Sequence, residues 1–82
     1  MASDEQIDAA IRANLTVHWQ KVAMVAAKAM DELKIRITDG DAFDKVCARI
    51  ELFVKHGEIA SQGDVSIPTK SEVRLKAGPH DA

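Results

Sequence analysis

Apolar residues recur at helical spacing from Phe43 to Val54, break off before Gly57, and resume at every second position in Glu72-Val73-Arg74-Leu75. A period near 3.6 marks a helix with one buried stripe, and a period of 2 marks a strand with one buried face. The stretch from Asp41 to Leu75 is therefore expected to hold an amphipathic helix with a two-stranded hairpin behind it. The first strand leaves at Glu58-Ile59-Ala60-Ser61 and the second is Glu72 to Leu75, with Val73 and Leu75 facing the core. Gly57 stands where a left-handed residue ends a helix. Gly63-Asp64 begins a wing or loop, and Pro68 keeps its tip out of any ladder. On the helix, Phe43, Val46, Cys47, Ile50, Phe53 and Val54 form the expected buried stripe. Lys45, Arg49 and His56 line the opposite side, with Ala48 and Leu52 among them.

Two helices are expected ahead of this unit. Ser3 with Gln6 three residues later is a capping-box pair, and Ile7, Ala10 and Ile11 share a face, so the first helix covers Ser3 to Asn14. Thr16 reads as the cap of a second helix, about Val17 to Leu33, with Trp19, Val22, Ala23, Ala26, Ala29, Met30 and Leu33 in its buried arc. Met24 points into the polar arc of that helix. Ile35-Arg36-Ile37-Thr38 alternates and reads as a short strand. Asp39 or Asp41 caps the third helix. The expected fold is α+β: three helices followed by a two-stranded β-hairpin, resembling a winged helix-turn-helix.

Eighty-two residues leave room for one domain, taken as 1–76, with 77–82 as a flexible tail. With only Trp19, Phe43 and Phe53 as aromatics, the core must be mostly aliphatic. Cys47 is the single cysteine, which excludes an internal disulfide and fits a reducing compartment. No apolar run reaches the roughly 20 residues a membrane-spanning helix needs. The acidic start, MASDEQ, is not a secretory signal. Together these make a cytoplasmic protein with no membrane attachment the expectation.

Specific residues also carry a resemblance. Trp19-x-Lys21-Val22-Ala23 opens the second predicted helix, Arg49 and Gly57 mark the third, and Gly63-Asp64 precedes a closing Ser71-Glu72-Val73-Arg74-Leu75. This set, from about Glu5 to Leu75, resembles a bacterial domain-of-unknown-function family with a W-x-K-V-A helix and a G-D…S-E-V-R-L ending. The ending is the more specific motif. The resemblance implies a helical domain with a wing and brings no activity, substrate or cofactor. In that family the module often looks like the C-terminal part of a longer protein. Here no domain precedes it, so a module acting alone or with a separate partner is expected.

Chemistry-bearing patterns are sparse. His18, His56 and His80 have no ligand spacing, so no metal is expected. Cys47 falls on the buried stripe, where a thiol is inert. Gly63-Asp64 lacks the further glycines and following helix of a phosphate loop. Nothing marks a nucleophile elbow or a general-base pair, so neither enzyme activity nor a cofactor is expected. Two binding readings remain. Met24 and Leu52, each apolar within a polar arc, suit an unknown protein partner or a homodimer. Lys45, Arg49 and His56 on the helix, with Lys70, Arg74 and Lys76 on the wing, suit weak or accessory DNA binding. The net charge is −2, and Asp41 to Lys76 balances six basic against six acidic residues. A DNA-binding unit concentrates positive charge on one face, so the protein-binding reading leads.

Overall fold

Local signals place most of the elements. Ser3 caps α1, Asp4–Asn14: its hydroxyl accepts from the Gln6 amide while the Gln6 side chain accepts from the Ser3 amide. α2 spans Val22–Glu32 and α3 spans Gly40–Lys55. The cap of α3 is Asp39, whose carboxylate accepts from the Ala42 amide at 3.1 Å. Its end is a Schellman turn, with Gly57 at φ +76° and the Glu58 amide bonded to the Phe53 carbonyl. The end of α2 has the same geometry with Lys34, at φ +59°, in the left-handed position and Ile35 bonded back to Met30. These elements come from a computed structural model that describes residues 2–76. The expected flexible tail, 77–82, lies outside the described residues.

The described residues hold three helices and one three-stranded antiparallel sheet, an α+β arrangement. β1 is Gln20–Lys21, β2 is Ile59–Gly63 and β3 is Ser71–Leu75, in the order β1-β3-β2. Ile59 pairs with Leu75 at one end of the hairpin and Gly63 with Ser71 at the other. A single 3-10 turn, Pro68–Lys70, leads into β3.

The third strand corrects the expected two-stranded hairpin. Gln20 pairs with Val73 and Lys21 with Glu72, and the Leu75 amide donates to the Thr16 carbonyl at 2.7 Å. The segment expected to start the second helix is thereby drawn into the sheet. Thr16 caps no helix; its hydroxyl accepts from the His18 amide and holds a local turn. α2 begins five residues later than expected, behind Lys21, without a side-chain cap. Trp19 is consequently absent from the helical core; it is half-buried, and the Arg74 guanidinium lies 4.5 Å from its ring centroid. The strand expected at Ile35–Thr38 is a turn instead, with the Asp39 amide bonded to the Arg36 carbonyl.

The core lies where the three helices meet the inner face of the sheet. Ile11, Val22, Val25, Val46, Ile50 and Val73 are fully buried in it, and Leu75 packs at its edge. Each large aliphatic side chain removed from water contributes roughly 1.5–3 kcal/mol. No helix among the described residues is long and apolar enough to cross a membrane.

Candidate functional site

α3 presents three faces, and each has a different neighbour. Val46, Cys47, Ile50 and Phe53 are buried in the core. Burial, with the nearby Asp44 and Glu51 carboxylates, pushes the Cys47 thiol up to about 11, so it stays protonated and unreactive at neutral pH. One flank of α3 turns towards α1. There the Arg49 guanidinium grips the Asp8 carboxylate with two bonds, Nε to Oδ1 at 2.9 Å and a terminal nitrogen to Oδ2 at 2.7 Å. Asp4 lies 3.8 Å from Arg49 and 3.7 Å from Lys45. The double hydrogen bond from Arg49 holds the Asp8 carboxyl below its ordinary range and raises Arg49 further.

The third face, at roughly 100° per residue, carries Asp41, Asp44, Ala48, Glu51, Leu52 and Lys55. The chain between β2 and β3 comes alongside it. Gly63, at φ +79°, starts that connection with its α-carbon pressed against the Lys70 carbonyl: a β-carbon there would sit 2.5 Å from the oxygen. The Asp64 carboxylate accepts from both the amide and hydroxyl of Ser66, which depresses its own pKa. The buried Ser71 hydroxyl donates to the Ile67 carbonyl and closes the loop at its other end. Gly63, Asp64 and Ser71 are thus loop-shaping residues. They hold Val65 so that, with Ala48, Glu51, Leu52, Val54 and Lys55, it lines a groove of ≈ 530 Å³.

The sequence candidates fall in different places. Leu52 lines the groove, half-buried; Met24 is 51% exposed on α2 and is not one of the groove residues. Lys45 and Arg49, expected on the free face of the helix, lie on its α1 flank and pair with carboxylates because α1 brings Asp4 and Asp8 against them. His56 is the exposed C-cap of α3. Arg74 stacks on Trp19 on the outer face of the sheet, beside a Gln62–Glu72 hydrogen bond. Lys70 precedes the start of β3 and Lys76 follows its end, so they stand roughly 20 Å apart at 3.3 Å per residue. The Lys76 ammonium reaches Gly57, next to His56, whereas Lys45 and Arg49 are engaged by carboxylates of α1 and Arg74 by Trp19.

Sequence reasoning missed Val65. Its signal was an apolar residue between Asp64 and Ser66 in a loop otherwise reading as polar, echoed by the exposed Ile67. A smaller pocket of ≈ 140 Å³, lined by Ala2, Ile7, Ile35 and Val46 with Asp41 and Lys45 at its polar side, lies between α1 and α3. Among the described residues no group of three or more His, Cys, Asp or Glu side chains is placed to hold a metal ion. Comparison with protein-family models, with curated proteins and with solved structures finds no match to this chain.

Proposed function

We propose that this chain is a winged-helix-like interaction module that binds protein through the face formed by α3 and the β2–β3 wing. The observation that carries the reading is the groove itself. Its floor and walls are Ala48, Leu52, Val54 and Val65, and among the described residues its charges are Glu51 and Lys55. An apolar centre edged by a few charges is the anatomy of a protein interface. In this reading the chain binds and does not catalyse, and it takes no cofactor or metal.

The same face is poorly suited to a phosphate backbone. Asp41, Asp44 and Glu51 share that face of α3 with one lysine, Lys55, at its far end, while Lys45 and Arg49 on the adjoining flank lie against Asp4 and Asp8. Affinity for duplex DNA depends on unpaired cations that displace counterions. The α+β arrangement, with its helices and winged hairpin, favours accessory DNA binding as the second reading, with Lys70, Arg74 and Lys76 as the available contacts.

Site-specific photo-crosslinking separates the two. A photoreactive residue at position 52 in source-cell lysate should give protein adducts, and one at Lys34, on the far end of α2, should give none. Absence of any adduct at position 52 above the Lys34 control would sink the docking face. Salt-dependent binding to mixed-sequence duplex at low ionic strength would instead support the second reading.

A further inference from the structure

β2 is an edge strand, and the hydrogen bonding of β3 fixes which of its backbone groups are free. In an antiparallel ladder a residue's N–H and C=O point to the same side, and that side alternates along the strand. The Leu75 amide points away from β2, donating to the Thr16 carbonyl. Val73 therefore also faces β1, while Glu72 and Arg74 face β2. Their partners on β2, Gln62 and Ala60, bond inwards. Ser61, between them and opposite Val73, turns its N–H and C=O outward, in line with the Gly63 N–H and the Ile59 C=O. Ser61 and Gly63 are exposed, and among the described residues no other strand pairs with β2 on that side.

Edge strands commonly carry a device that stops further pairing, such as a charge, a proline or extreme shortness. The opposite edge of this sheet has two of these: β1 is two residues long and ends at Lys21, where the chain turns into α2. β2 runs for five residues, Ile59-Ala60-Ser61-Gln62-Gly63, with no charge and no proline. Ser61 shares the inner face of the sheet with Ile59 and Val73, both buried against the helices. A residue opposite Ser61 on an added strand would have its side chain on that same face. α3 packs against β2 on this side, and its outer flank carries Ala48 and Leu52, with Val65 just beyond β2 as the other wall of the groove.

We propose that the β2 edge and the groove together take an extended segment of a partner protein, added to the sheet as a fourth strand with apolar side chains at alternate positions. This rests on the docking reading above and specifies the conformation and side-chain pattern of the partner. Ser61 exchanges two hydrogen bonds with one partner residue, whose apolar side chain enters the groove beside Leu52 and Val65. Main-chain bonds hold such a segment, and the groove selects its alternate side chains. A helical partner satisfies its own backbone and leaves the Ser61 groups to water.

The probe is a displayed library of random decapeptides, selected on the immobilised full chain. Selected peptides should have apolar residues at every second position. N-methylation of the best of them, one amide at a time, should weaken binding about tenfold or more at alternate amides and little at the others. Ser61→Pro removes an outward N–H and spares the bonds to β3, so it should keep the urea midpoint and lose the peptides by a similar factor. Ser61→Ala, which keeps the N–H, should bind as wild type. Failure to enrich any peptide overturns the proposal, as do peptides without the alternation or binding indifferent to N-methylation at every amide. A concentration-dependent dimer broken by Ser61→Pro would assign the edge to a second copy and overturn it too. Crosslinking distinguishes these failures from failure of the docking face. Adducts at position 52 that survive Ser61→Pro keep the face and refute the added strand, whereas a wild type without adducts there loses the face itself.

Discussion

Replacing Gly63 with alanine tests how the wing is held, because two other glycines provide matched controls. Gly57 and Gly63 have nearly the same backbone, φ +76° and +79°. For an L-residue that conformation costs roughly 1–2 kcal/mol, partly offset by about 0.5–1 kcal/mol because alanine has less freedom to lose on folding. At Gly57 a new β-carbon meets only the Lys76 Nζ at 3.7 Å, an ordinary contact with a movable tip. Gly57→Ala should therefore destabilise by about 1 kcal/mol. At Gly63 the β-carbon meets the Lys70 carbonyl oxygen at 2.5 Å and the Ser71 α-carbon at 3.2 Å, both backbone. The strand ends must part, weakening the Gly63–Ser71 rung and the loop behind it; one lost hydrogen bond adds about 1 kcal/mol and the displaced packing a similar amount. Gly63→Ala should cost about 3 kcal/mol. Gly40, at the start of α3 with nothing within 4 Å of its β-carbon, should gain about 0.5–1 kcal/mol as alanine. Urea unfolding followed by far-ultraviolet circular dichroism reads all three. Since 1 kcal/mol moves the melting temperature of a chain this size by roughly 4–8 °C, thermal melts separate them as well. Equal losses at Gly57 and Gly63 would refute the steric argument, leaving backbone conformation alone as the cause. The Gly63 variant should also lose photo-crosslinking at position 52, because Val65 leaves the groove wall.

Lys34 occupies the left-handed position after α2 at φ +59°, so Lys34→Gly should stabilise by about 0.5–1 kcal/mol, seen as a higher urea midpoint; an unchanged or lower midpoint would contradict the helix-end geometry. Asp8 has a depressed carboxyl pKa, mainly from the Arg49 hydrogen bond, and that contribution is complete above the unfolded carboxyl's value near 3.9 and is lost as pH falls through the lower folded value. Asp8→Asn should therefore cost about 1 kcal/mol at pH 7, and the gap to wild type should close in acid; a gap constant down to pH 2 would refute the linkage. Cys47 is 5% exposed with its thiol near 11, so it should react with a thiol reagent at the rate of unfolding at pH 7, and fast labelling of the native chain would show that the α3 stripe opens locally.

What the sequence alone determined is what acts over one or two turns of chain. Ser3 and Gln6 cap α1 from three residues apart, an aspartate at 39 or 41 marks the start of α3, with the structure choosing Asp39, and Gly57 ends α3 through bonds to the preceding turn. The buried stripe of α3 and the alternation of β3 are periodicities that either element expresses without knowing its neighbours. Tertiary structure decided the features that join distant segments. β1 is two residues long and has no strand signal of its own; it exists because β3, some fifty positions later, offers it a free edge, and that pairing outweighs the helical pattern from Val17 to Lys21. Arg49 reads as a free cation on the α3 helical wheel until Asp8, 41 positions earlier, is packed beside it. Val65 becomes a groove wall only when the hairpin folds back alongside Leu52. Capping and periodicity are short-range properties that neighbouring residues impose on one another, whereas a sheet edge, an ion pair between helices and a groove arise only after separate elements share one core.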